Sequence, residues 1–374
     1  MSAEQGPVSG KVIGELEFLR KLQRLLAEGE FVATYKFALL NALADLSLER
    51  DLDDDGSLRV PVSAIAEKFI EYYWPQARPY RAVDGTGFVL VQSTGRQAAV
   101  INTISAAQSA YATLPVARAA KLRWHTLVTK VAGTIEGMPL WKLQTVGGER
   151  DEFLYREAEF ADETIRLLPG VPAAFRALYG LVLDAVRGAW LRQITNIAQN
   201  RPLLRDADLA SFLFGSERAS LDGFRGVLRD HQGGRCLYCA KELRGTGCVD
   251  HFVAWSRYPV DLGHNLVLAH DACNAQKRDF LAYPLHLERW QASHLERASE
   301  LAQRFDSLAL PHDRERSRAI AWWAYEQGEA AGAHAWIDAD RFVRLDRGWR
   351  GVLGAGLDAS RRVAEPPPPE YWPE

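Results

Sequence analysis

The sequence contains little that would send it into a membrane or out of a cell. No apolar stretch approaches the roughly 20 residues a bilayer-spanning helix needs. The opening MSAEQGPVSGK lacks the apolar core of a secretory signal, so the expected location is the cytoplasm. Charge of one sign is also scarce: 45 Lys and Arg face 48 Asp and Glu, a formal net charge of −3. Any nucleic-acid footprint is therefore local. The common phosphate-loop and nucleophile signatures are missing, with no G-x-x-x-x-G-K-[ST], no G-x-G-x-x-G and no G-x-S-x-G, and there is no internal repeat. What is present is a globular composition, 47% hydrophobic and 25% charged, which excludes a disordered or fibrous protein for most of the length. A length of 374 residues suggests two or three domains.

Apolar periodicity predicts a mainly α protein with a small α+β region. Leu16, Leu19, Leu22, Leu25 and Leu26 recur at helical spacing, as do Phe37, Leu40, Leu43 and Leu46. A third helix, capped by Ser63, is expected to end before Tyr73-Trp74-Pro75. Phe88 to Val91 reads as a buried strand, and Trp141 to Tyr155 as a hairpin around Gly147-Gly148. Pro172 opens a long helix running towards Asn200, and another ends at Gly233-Gly234. Leu287 to Leu308 and Arg314 to Gln327 read as helices. The organisation that follows is a flexible leader (1–10), a mostly helical region with a short β segment around 83–155 (11–230), a cysteine-bearing module (231–283), a helical region (284–350) and a Pro-rich tail (351–374).

The only four cysteines lie between Cys236 and Cys273. A tight cluster beginning C-x2-C in a reducing compartment points to metal rather than disulfides. Cys236-Leu-Tyr-Cys239 supplies two thiolates on one turn, and His270-Asp-Ala-Cys273 repeats the spacing, which together make a tetrahedral zinc set. Cys248 is the alternative fourth ligand, but only His270 has the right offset from Cys273; Cys248 otherwise reads as a small buried residue. Between the halves lie a strand through Asp250 and His251, a loop from Trp255 to His264, and a strand from Asn265 to Leu268. Asp271 is placed to cap a helix carrying Cys273, Asn274 and Lys277.

C-x2-C, Asp-His, Asn-Leu and H-x2-C-Asn-x2-Lys together resemble the HNH endonuclease family with its ββα-metal fold, over about Gly233 to Tyr283. The resemblance implies His251 as general base, Asp250 and Asn274 as ligands of a catalytic Mg²⁺ or Mn²⁺, and Asn265 as a loop brace. It implies DNA as substrate, and a setting such as restriction or antiviral defence. This is an H-N-N version, with Asn274 at the last position, Ala254 where many members have proline, and His270 where cysteine is commoner. The chemistry suits these residue types: a neutral histidine takes a proton from water near pH 7, and a hard cation held by oxygen ligands clamps a phosphate. Lys277 reads as a phosphate contact or as a solvated helix lysine. The alternatives are a non-catalytic zinc-stabilised DNA- or protein-binding scaffold, and an RNA-cutting or nicking variant. The near-neutral charge suggests a partner protein that gates or targets the enzyme. Tyr72-Tyr73-Trp74 and Trp322-Trp323 read as packing, and Arg314, Arg316 and Arg318 as a solvated helix face.

Overall fold

The computed structural model describes residues 12–81, 87–201, 204, 209–215 and 221–354. The expected leader and all of the tail beyond residue 354 lie outside them. The chain is mainly helical, 56% helix against 13% strand, and its sheets have only two or three strands each. Among the described residues no helix is long and apolar enough to cross a membrane.

The helix Tyr35–Glu49 is the hub. It is apolar on every side and buried from Lys36 to Leu48, as a helix surrounded by others must be. Helices Val62–Gln76, Val171–Ala177, Tyr179–Asn196 and Arg314–Ala330 pack around it, so the first and last thirds of the chain share one core.

Several elements differ from expectation. Val62–Gln76 runs through Pro75 instead of stopping before Tyr73. Burial of Tyr73 and Trp74 outweighs the single bond that proline removes from the last turn. The long helix from Pro172 breaks at Leu178, and its second part opens with Tyr179 donating to Asp45 Oδ1 at 2.7 Å. Of Phe88 to Val91 only Gly87–Phe88 pairs as a strand, with Tyr80–Arg81. Val91 is held instead by Asn200, whose side-chain amide accepts from its N–H and donates to its C=O, both at 2.8 Å. Trp141 lies in the short helix Pro139–Lys142, and the hairpin shrinks to Thr145–Val146 and Glu149–Arg150. Gly147 and Gly148 supply the two positive φ angles (59° and 82°) of its tight turn. The C-terminal region is not all helical. His334–Asp338 and Arg341–Arg344 form a hairpin, extended by parallel pairing with Leu281–Ala282, a non-local contact that periodicity does not register.

Arg316 is not on a solvated face; it is 8% exposed. It donates to Glu71 Oε1 and to the Tyr258 hydroxyl, both at 3.0 Å, and lies 2.9 Å from Glu49 as an ion pair. Lys68 adds ion pairs to Glu49, Asp45 and Glu71, and Arg118 pairs with Glu71. Burial pushes the Glu71 carboxyl up, but Arg316, Lys68 and Arg118 together hold it well below the usual carboxylate range. Replacing Arg316 with Met should cost about 3–5 kcal/mol, because it leaves Asp45, Glu49 and Glu71 with only Lys68 and Arg118 to balance them. Arg316→Lys should not restore this, since an ammonium lacks the planar fork with which the guanidinium reaches Glu49, Glu71 and Tyr258 together. Urea unfolding measures both.

Two further buried groups set an acid limit. His264 is pushed down to about 4 by burial, and His294 lies well below its ordinary range for the same reason. Each has a ring nitrogen without a partner: Nδ1 in His264 and Nε2 in His294. The folded state refuses protons that the unfolded chain accepts near pH 6.5. Stability from these groups is therefore complete above that pH and falls as pH drops towards 4, by about 1.4 kcal/mol per pH unit for each histidine. The urea midpoint should fall between pH 6.5 and 4.5, less steeply in His264→Leu. An equal slope in both proteins would remove His264 from the account.

Candidate metal centre and active-site cavity

Strands Cys248–His251 and Leu266–Ala269 pair antiparallel, with Asp250 opposite Val267 and His251 opposite Leu266. The helix Asp271–Lys277 follows directly, so the local order is strand, strand, helix. His270, not Asp271, takes the N-cap position. It is extended (φ −67°, ψ 144°) and its carbonyl accepts from Asn274 N at 3.0 Å. Asp271 is the first helical residue, where its charge still suits the helix dipole.

The turn Cys236–Cys239 is held under this hairpin by Leu237 N donating to Leu268 O at 3.0 Å. The ligand atoms of Cys236, Cys239, His270 and Cys273 all lie within 4.8 Å of one another. His270 Nδ1 is 3.3 Å from Cys239 Sγ, while its Nε2 faces the Glu242 carbonyl at 3.1 Å. A carbonyl only accepts, so Nε2 carries the hydrogen and Nδ1 presents its lone pair to the sulfurs, the arrangement a metal-bound histidine needs. Burial pushes the Cys273 thiol up, and the neighbouring Cys236 and Cys239 push it further; a cation relieves that crowding. The cluster can hold a metal ion and is compatible with tetrahedral zinc. Cys248 stands outside it, its Sγ 3.5 Å from the Ala269 carbonyl. Burial, then Asp271 and Asp250, push its thiol up to about 11. It is half-buried rather than sealed in the core.

On the outer side of the hairpin a cavity of about 460 Å³ brings together Asp250, His251, Asp261, Asn274 and Arg278. His251 Nε2 lies 2.8 Å from Asp261 Oδ1, and Trp255 packs edge-on against the imidazole at 5.1 Å. Asn265 is buried, and its amide clamps the Val253 peptide, accepting from its N–H (2.9 Å) and donating to its C=O (3.0 Å). That clamp fixes the chain just after His251. Asp250 uses Oδ2 for the Tyr238 hydroxyl (2.5 Å) and for Lys277 Nζ (3.3 Å).

Lys277 departs from both of its readings. It is fully buried, donating to the His251 carbonyl at 3.0 Å and the Arg278 carbonyl at 3.3 Å, so it faces neither solvent nor a phosphate. It is an internal counter-ion to Asp250. Arg278 adopts φ +50°, which turns its carbonyl towards that ammonium, and its side chain is exposed at the cavity rim. Asp261, Tyr238 and Arg278 were not singled out by sequence reasoning. Asp261 lies in a loop without periodicity, and its nearest cue is its place shortly before His264-Asn265.

Purified full-length protein should contain one equivalent of zinc by elemental analysis. Cys273→Ser should lose it and lower the Tm, whereas Cys248→Ser should keep both. Loss of zinc in Cys248→Ser would redraw the ligand set.

No curated protein and no solved structure matches the chain. A family model matches residues 15–213, more than half of the chain, and ends before the first cysteine at Cys236. The chain therefore belongs to the family described as Domain of unknown function (DUF8808).

Proposed function

We propose that the chain is a divalent-metal-dependent endonuclease of the HNH class that hydrolyses phosphodiester bonds in DNA. The observation that carries this reading is the contact of His251 with Asp261 in the same cavity as Asp250 and Asn274. An ionised carboxylate only accepts, so Nε2–H points at Asp261 and His251 Nδ1 keeps its lone pair. Nδ1 can then take a proton from water as the water oxygen attacks phosphorus, and Asp261 stabilises the imidazolium that forms. The P–O3′ bond breaks and its electron pair leaves with the 3′ oxygen.

Asp250 Oδ1, which takes no hydrogen bond from a described residue, and the Asn274 amide are the oxygens suited to Mg²⁺ or Mn²⁺. When bound, such an ion supplies Lewis-acid stabilisation of the phosphate and of the leaving oxygen. Lys277 offsets part of the Asp250 charge, so affinity for the ion should be modest. Arg278 at the rim replaces Lys277 as the residue suited to a substrate phosphate.

The test is plasmid cleavage by the full chain with Mg²⁺, Mn²⁺ or EDTA. His251→Ala should lower the rate about 10²–10⁴-fold, and Asp261→Asn should also lower it while leaving zinc content unchanged. A zinc-loaded wild type with no cleavage on DNA or RNA would sink the proposal and leave the scaffold reading, for which the Lys277–Asp250 pair is a purely structural contact.

A further inference from the structure

The DUF8808 part of the chain holds a cavity of about 530 Å³ between the start of helix Tyr35–Glu49 and the short helix Pro139–Lys142. Its walls are mostly apolar, with Val32, Ala33, Ala98, Ala99, Met138 and Pro139 among them. Three cations line it, Lys36, Arg96 and Lys142, against one acid, Glu30. Lys36 is the unusual member. It is only 8% exposed, yet it makes no hydrogen bond or ion pair with a described residue. Its ammonium lies 5.4 Å from the Phe31 ring centroid. A lysine largely withdrawn from water without a hydrogen bond or ion pair is costly, and here it borders a cavity instead of being sealed in the core.

The backbone adds to this positive field. Lys36 sits in the first turn of a 15-residue helix whose Thr34 cap gives no side-chain hydrogen bond to that turn. The Thr34 hydroxyl is engaged with Tyr73 and Gln92 instead. The positive end of the helix dipole, at Tyr35 and Lys36, therefore borders the same cavity. Tyr35, fixed by accepting from Val100 N at 3.0 Å, holds a wall of the cavity in place. Burial depresses the Lys36 ammonium, Glu30 opposes this, and Lys142 depresses it further; a bound anion would reverse the balance.

We propose that this cavity is a binding site for a small organic anion, its apolar body against the walls and its acidic head on Lys36. The volume is that of a small-molecule pocket. Inorganic phosphate would leave the apolar walls unfilled, and a neutral apolar ligand would leave Lys36 unpaired. The site is separate from the Asp250–His251 cavity, and the proposal is independent of the nuclease reading.

The test uses the full chain and 8-anilinonaphthalene-1-sulfonate, an apolar ring system with one anionic head, followed by fluorescence and calorimetry. The expected result is one equivalent bound. The uncharged N-phenyl-1-naphthylamine should bind at least tenfold more weakly. Lys36→Met should weaken sulfonate binding at least tenfold with an unchanged or higher Tm, since it removes an unpaired buried charge. If that variant does not fold, the double variant Arg96→Gln/Lys142→Gln, altered only at exposed residues, takes its place with the same expectation. Decanoate should displace the dye and decanol should not. Equal binding of charged and uncharged probes, displacement by decanol, or undiminished binding in a folded variant would overturn the proposal.

Discussion

Arg316 is the contact on which the arrangement of the two halves depends. Glu49 and Glu71 come from helices of the DUF8808 region, and their charges are withdrawn from water beside Asp45. Lys68 and Arg118 come from the same region. Arg316 comes from the far end of the chain, and it also reaches Tyr258 in the loop that leads to Asp261. Losing Arg316 or Lys68 leaves the buried carboxylates with a negative charge in excess, so the network tolerates little relative movement between the helices that supply it. Apolar contact alone would be less demanding, because hydrophobic burial has no direction. The stacking of Tyr179 on Tyr258 and the bond from Trp323 to the Arg176 carbonyl repeat the same junction. Family domain and cysteine-bearing module are thus joined by directional contacts, and the loop that carries Asp261 is anchored to both.

The module has its own division of labour. Its hairpin carries Asp250 and His251 to one cavity, the Cys236–Cys239 turn reaches Asp250 through Tyr238, and the helix capped by His270 brings Asn274 to the same cavity. A cation at the four-ligand cluster would tie turn, strand and helix at their common base, where a stretch this short has little core of its own. Lys277 and Tyr238 both bind Asp250 Oδ2 and leave Oδ1 without a hydrogen bond from a described residue. Lys277 also holds the carbonyls of His251 and Arg278. One buried ammonium therefore sets the position of the acid, the base and the rim arginine together.

Sequence alone reached the four-ligand cluster and the strand–strand–helix order because both follow from short, local spacings. Two residues between ligands fit a single turn, and the apolar runs either side of the loop can only pair with each other. It went wrong where the deciding contact is distant in sequence. Lys277, three residues after Asn274, was placed correctly along the helix, but spacing could not say whether its end met solvent or Asp250. Asp261 carries no periodic signal, since its position comes from the loop that Asn265 and Tyr258 anchor. The three-stranded C-terminal sheet depends on Leu281–Ala282 meeting a strand more than fifty residues later.

Arg314, Arg316 and Arg318 show how close a local argument can come. Successive helical residues are 100° apart, so Arg316 points about 200° away from Arg314, while Arg318 returns to within about 40° of it. The three cannot share one solvated face. Either Arg316 or the other two must turn inward, and an inward arginine requires acids to meet it. The helix Tyr35–Glu49, whose apolar residues occupy every side, can lie nowhere but the centre of the fold, yet it carries Asp45 and Glu49 into that centre. Buried carboxylates on one element and an arginine forced inward on another are complementary demands. Each makes sense only if the two helices touch, as they do.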